Sequence, residues 1–220
     1  MYRAALIISL LVCICFRTFS QEKPKTNLEI FEETISAELE KFYYYPGVNR
    51  NEPFIFVINP EEKGGSNTKT GSGTKFLNNL VKKTASANKL AFSIIDDEAK
   101  IKSDSAYNLM VLQVLALETR YNGFKKNKFL GEKTISRNII INIAVELTAG
   151  RQAVIAKDFI KHDFSDEIAY DNYKLLESPQ YDFTQAEPPK VSAFERVIFP
   201  VILICVTAAA TILFFTIRSK

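Results

Sequence analysis

The chain has 220 residues, 24% of them charged and 47% hydrophobic, with a formal net charge of +3. Arg3, Arg17, Arg218 and Lys220 lie in terminal segments that hold no acid, so residues 21–196 carry 24 basic side chains against 25 acidic ones, a net of −1. That balance excludes the basic footprint of a nucleic-acid binder, and with Cys13, Cys15 and Cys205 all in the end segments the body has no disulfide framework.

The amino terminus reads as a secretory signal peptide over residues 1–20. Met1-Tyr2-Arg3 is a short basic start, residues 4–16 are apolar, and Thr18 and Ser20 place small residues at −3 and −1 of a cleavage before Gln21. An uncleaved anchor is the alternative, because Arg17 sits within the cleavage region. Lipidation at Cys13 is a weaker reading, since Val12 suits it poorly. The body holds no Asn-x-Ser/Thr acceptor. That absence and the missing disulfides suit a bacterial envelope protein better than an animal cell-surface receptor.

From Asn27, apolar residues recur at Leu28, Phe31, Ile35 and Leu39. The spacing predicts a helix over 28–43, capped by Asn27 and favoured by Glu29, Glu32 and Glu33 near its start. Residues 54–58 (FIFVI) form a continuous apolar run between prolines, the pattern of a buried strand. Residues 60–73 are loop-like by composition. Phe76, Leu77, Leu80, Val81 and Ala85 make one stripe of a second helix over 74–87, and 90–95 (LAFSII) is a further strand.

The second half reads as sheet. Residues 107–121 are long and apolar, with the length of a helix, and read as a strand because clear strands and a polar turn follow. In 137–148, Ile139, Ile141, Ile143, Val145 and Leu147 alternate with the residues between them. Ala149-Gly150 turns the chain into a partner strand over 152–162. The acidic stretch 163–177 reads as helical, with Ile168, Tyr173, Leu175 and Leu176 inward. Residues 178–196, with Pro179, Pro188 and Pro189, read as a tether.

Residues 197–217, from Val197 to Ile217, contain no charge. At about 1.5 Å per residue they match a hydrocarbon core of about 30 Å. Arg218 and Lys220 follow, and the positive-inside rule places them in the cytoplasm. The body of about 176 residues, enough for one domain, is expected outside the cytoplasm, with three residues inside. No Leu-Pro-x-Thr-Gly sorting signal precedes the span. Within it, Thr207, Ala208, Ala209, Ala210 and Thr211 form a small-residue patch of the kind that lets membrane helices approach closely.

The expected fold is therefore α+β: a mostly antiparallel sheet with helices on one face, plus a signal peptide and one carboxyl-terminal transmembrane helix. In element order, residues 54–177 resemble small periplasmic modules such as those of TolB amino-terminal and CsgG-like envelope proteins. The resemblance implies an envelope-assembly role and, with no shared motif, assigns no site.

Chemistry-bearing motifs are sparse. In the glycine-rich loop, five residues separate Gly65 from Gly71, and Ser72 stands where a phosphate-binding loop needs lysine, so nucleotide is not expected. His162 is the lone histidine. With no body cysteine, neither a zinc site nor a cofactor is expected. Asp163, Asp166 and Glu167 read as a solvated helix start. Asp96, Asp97 and Glu98 read as a turn, since neighbours on a strand point to opposite faces. The best charge feature is Lys125, Lys126 and Lys128 at the tip of a hairpin, flanked by Arg120 and Arg137. These five are the candidate binding residues for an anionic polymer, lipid headgroups or an acidic partner; the competing reading is that lysines keep the sheet edge soluble.

The sequence thus predicts a membrane-anchored, exported, non-enzymatic binding or assembly module that contacts an envelope protein through a strand edge or the basic hairpin. An envelope hydrolase or transferase using converging carboxylates is one alternative. An accessory subunit held in a membrane complex through its span is another.

Overall fold

Alternation in residues 133–149 sets the fold. The computed structural model describes residues 23–59, 71–96, 101, 106–126, 133–150, 153–190 and 193–218. The expected signal peptide at 1–20, most of the glycine-rich loop, Asp97, Glu98 and Lys128 lie outside them. The described elements run in the order α1 (Asn27–Tyr43), β1 (Phe54–Asn59), α2 (Ser72–Ala87), β2 (Phe92–Ile95), β3 (Asn108–Lys126), β4 (Lys133–Ala149) and β5 (Ala153–Ala169). After the strands come a 3-10 turn (Tyr170–Asn172), α3 (Tyr173–Leu176), a second 3-10 turn (Asp182–Thr184) and α4 (Ala193–Arg218).

The five strands form one sheet in the order β2-β1-β3-β4-β5. β3, β4 and β5 are an antiparallel meander. β1, however, pairs in parallel with both β2 and β3, so the sheet is mixed rather than mostly antiparallel. The β1–β2 pairing follows from α2: a helix between two neighbouring strands returns the chain to its starting end, and the next strand must run parallel. β1 is thereby flanked on both sides, which explains its unbroken apolar run FIFVI.

One face of the sheet carries the main core. Phe54, Phe56 and Ile58 of β1, Met110, Leu112 and Val114 of β3, and Ile139, Ile141, Ile143, Val145 and Leu147 of β4 are buried there. α1 covers them with Phe31, Ile35, Leu39 and Tyr43, and α2 with Phe76, Leu77, Leu80 and Val81. Each such side chain removed from water contributes about 1.5–3 kcal/mol. In β3 the inward set changes parity. A register shift between Val114 and Ala116 moves burial from Met110, Leu112 and Val114 to Leu117, Thr119 and Tyr121, as a β-bulge does.

The structure corrects four local expectations. The cap of α1 is Thr26, not Asn27. The Thr26 hydroxyl accepts from the Glu29 backbone N–H, and the Glu29 carboxylate accepts from the Thr26 N–H at 2.7 Å, a reciprocal capping box. Residues 163–169 are strand, not helix, because the length of β4 lets Asp163 pair with Ile140 and Ala169 with Thr134. The acids Asp163, Asp166 and Glu167 therefore sit on β5, not on a helix start. Leu175 points outward at 75% exposure, whereas Ile168 and Leu176 are buried. Finally, residues 178–186 are not a free tether: Tyr181, Phe183 and Thr184 are buried, and the Phe183 ring meets Phe31 edge-on with centroids 4.8 Å apart.

α4 contains Pro200 and spans 26 residues. Among the described residues, no helix is long and apolar enough to cross a membrane. The expected span at 197–217 falls within α4.

Candidate binding groove

Of the five cations singled out from sequence, Lys128 lies outside the described residues, and Arg120, Lys125 and Arg137 do not form one patch. Arg120 is exposed on β3 and pairs with Glu118 at 2.7 Å, a hydrogen bond that raises its pKa. Lys125 is exposed and ion-paired with Glu167 of β5. Lys126 stands opposite Lys133 at the end of the β3–β4 ladder. Arg137 corrects the expectation outright: it is 1% exposed, among the largest fully buried side chains.

Arg137 lies on the covered face because it shares the parity of Ile135 and Ile139 on β4. Its Nε donates to Asp166 Oδ1 at 2.8 Å, and Nη2 donates to Oδ2 of the same carboxylate. Nη1 donates to the Lys25 carbonyl and to Asn27 Oδ1, both at 2.8 Å. Asn27 in turn donates to the Tyr121 hydroxyl at 2.9 Å and to the Thr184 carbonyl at 2.7 Å. Burial pushes the Tyr121 phenol up to about 12, against the lowering effect of the Asn27 hydrogen bond. This network ties the leader before α1 and the 178–186 segment to the sheet. It sits between the main core and a smaller cluster of Tyr121, Ile135, Ile168 and Leu176, and its donors are consumed internally. It is a structural staple rather than a ligand site.

A cleft of about 870 Å³ opens on the other side of the domain, between α2 and β2. One helix stripe, Lys75, Asn78 and Lys82, forms one wall; Phe92, Ile94 and Asp96 form the other. The spacing of three and four residues puts those three α2 side chains on a common face. Lys75 and Lys82 are exposed, and Phe92 and Ile94 are half-buried where they pack against the core. β2 is an edge strand, hydrogen-bonded among the described strands to β1 alone. The cleft thus combines an open backbone edge, an apolar floor and a cationic wall. Sequence reasoning found β2 and α2 but not the cleft, because only the parallel placement of β2 beside β1 brings Phe92 and Ile94 under the α2 stripe.

A second cleft, of about 640 Å³, lies beside Arg120 and is lined by Glu118, Glu177, Asp182 and Glu187 among others. His162 is exposed on β5, opposite Ile141. Among the described residues no group of His, Cys, Asp and Glu is placed to hold a metal ion.

No family model matches the chain, and no curated protein is significantly similar to it. Among solved structures, it is similar to a homologue of the neuraminyllactose-binding hemagglutinin of Helicobacter pylori. The identity is 14% and the TM-score 0.35, over 57% of this chain and 73% of that one. A likeness of that size assigns this chain neither a fold family nor a function.

Proposed function

We propose that this protein is a membrane-anchored, exported binding module of the cell envelope that captures an extended segment of a partner protein as a strand added to β2. The observation that carries the reading is the cleft itself: an edge strand faced by Lys75 and Lys82 across an apolar floor. Strand addition draws affinity from main-chain hydrogen bonds and specificity from side-chain pockets. The two ammonium groups select a segment with acidic residues beside apolar ones.

Anchoring by residues 197–217 is part of the same proposal. The run is uncharged and basic residues follow it. At about 1.5 Å per residue its 21 residues would make a helix of about 31 Å, which matches a hydrocarbon core of about 30 Å. Its hydroxyls are satisfied within the helix: Thr207 donates to Leu203, Thr211 to Thr207 and Thr216 to Ile212, at 2.7–2.8 Å, as lipid demands of buried polar groups.

The test is site-specific photocrosslinking of the full chain in intact cells, with the reactive group at Ser93 on β2 or at Leu175 as an exposed control. A partner crosslinked at Ser93 alone, carrying an acidic extended segment at the crosslink and lost in Lys75→Glu/Lys82→Glu, is the expected result. Equal labelling at Leu175, or labelling indifferent to the charge reversal, removes the groove as the site.

A further inference from the structure

We propose that β5 is a self-association edge, on which a second copy of this chain adds its own β5 antiparallel about a two-fold axis through His162, joining two five-stranded sheets into one. This surface is separate from the β2 groove and stands whether or not that reading holds.

β5 is the other edge of the sheet, 17 residues long, and pairs among the described strands with β4 alone. Along its middle, 157, 158, 159, 161, 162 and 163 are all exposed, while Ile160 between them is buried in the main core. Phe159 is 60% exposed. A long, open strand with a bare aromatic ring is a template for pairing with another chain.

The backbone sets which partners are allowed. The Phe159 N–H does not reach β4 and instead donates to its neighbour's carboxylate, Asp158 Oδ1, at 2.7 Å. Phe159 therefore faces the free edge, and with no register shift from 156 to 169 so do the other odd-numbered residues. An antiparallel copy must set odd residues opposite odd ones.

The side chains choose the register. On the uncovered face of the sheet β5 presents Lys157, Phe159 and Lys161, then Asp163, Ser165 and Glu167. A two-fold axis at His162 sets Lys157 against Glu167 and Lys161 against Asp163 of the second copy, each pair occurring twice. Moving the axis to residue 161 or 163 leaves no opposite-charge pair, moving it to 160 or 164 leaves only Lys157 against Asp163 or Lys161 against Glu167, and an in-register parallel arrangement aligns like with like. On the covered face the same register sets Ile160 against Phe164, and Asp158 against Asp166, whose charge Arg137 already holds. Opposite charges directly across a ladder stabilise it, and like charges do the reverse.

Two measurements test this on the full chain. In the first, Cys13, Cys15 and Cys205 are replaced by serine and one cysteine is introduced. At His162→Cys the two copies face each other as a non-hydrogen-bonded pair with Cα atoms about 4.5 Å apart, within disulfide reach. At Phe159→Cys the two sulfurs are six residues out of step, about 20 Å apart. A disulfide-linked dimer at His162→Cys and none at Phe159→Cys is expected; no dimer at 162, or equal dimer at both, overturns the proposal. In the second, light scattering in detergent follows Lys157→Glu/Lys161→Glu and Asp163→Lys/Glu167→Lys. Each variant alone is expected to be monomeric, and a one-to-one mixture dimeric. A mixture that stays monomeric, or variants that each dimerise like the parent, overturns it.

Discussion

Arg137 on β4 and Asp166 on β5 stand directly opposite each other in register, joined by two parallel hydrogen bonds. The guanidinium is 1% exposed and the carboxyl side chain 29%. Because the remaining guanidinium donors reach Lys25 and Asn27, this one pair decides how the two ends of the domain are held.

Arg137→Ala is therefore expected to be among the costliest single substitutions here. Removing one partner of a buried, hydrogen-bonded pair costs about 3–5 kcal/mol, and the loss frees Asn27 and the leader as well. Asp166→Asn is expected to cost less, since water reaches that side chain. Arg137→Lys keeps the charge but loses the fork and rescues little. Urea unfolding midpoints check the order. Near-equal effects for Arg137→Ala and a surface control such as Arg120→Ala would show that the staple contributes nothing.

The capping box makes a smaller and separable claim. Thr26→Ala is expected to cost about 1 kcal/mol, and Thr26→Ser little. The Glu29 carboxyl is held below the usual carboxylate range, chiefly by the backbone N–H of Thr26. A carboxyl whose pKa is lower folded than unfolded adds stability above its unfolded value and loses it as pH falls through the folded one. Glu29→Gln is therefore expected to flatten the acid limb of stability against pH. An unchanged acid limb in that variant would assign it to other carboxyls.

Much of this fold is legible in the sequence, and the misses have physical causes. β4 reads cleanly because one face is covered and the other is not, so Ile139 to Leu147 alternate without interruption. β3 does not, because its bulge reverses the parity midway. The end of β5 was hidden by Asp163, Asp166 and Glu167, which look helical to a reader who cannot see the length of β4. The same parity that marks Ile135 and Ile139 as inward also marks Arg137. That parity competes with the general rule that a cation beside a lysine-rich turn is exposed. The β2 groove could not be read locally, since it depends on a crossover that sets two distant segments side by side.

Alkaline pH is expected to unfold the domain through two tyrosines. Burial raises both Tyr43 and Tyr121 to about 12; each also shares a hydrogen bond, with Thr84 and Asn27 respectively. A phenol with a higher pKa folded than unfolded adds stability that is fully present below about 10, the unfolded value. That stability is lost as pH rises toward the folded value. Stability should thus fall between about pH 10 and 12, with phenolate absorbance rising cooperatively with unfolding. Tyr43→Phe and Tyr121→Phe should each make the fall shallower. Independent titration of these phenols near 10 in the folded protein would refute the burial that drives the shift.

The last expectation concerns where the domain ends. A proline-bearing stretch after an acidic segment looks like a spacer, yet Phe183 is 2% exposed. Its ring packs against Phe31 of α1 and Phe76 of α2, with centroids 4.8 and 5.1 Å apart. The backbone is fastened too: Thr184 accepts from the Ser178 N–H and donates to the Ser178 carbonyl, while its own carbonyl accepts from Asn27. Phe183→Ala removes a large aromatic from a filled site and is expected to cost about 3–5 kcal/mol. A chain stopped after Glu177 loses Tyr181, Phe183 and Thr184 together and leaves the apolar seam between α1 and α2 open to water. It is expected to unfold at markedly lower urea than a chain stopped after Lys190. Equal unfolding midpoints for the two would return residues 178–190 to the role of spacer.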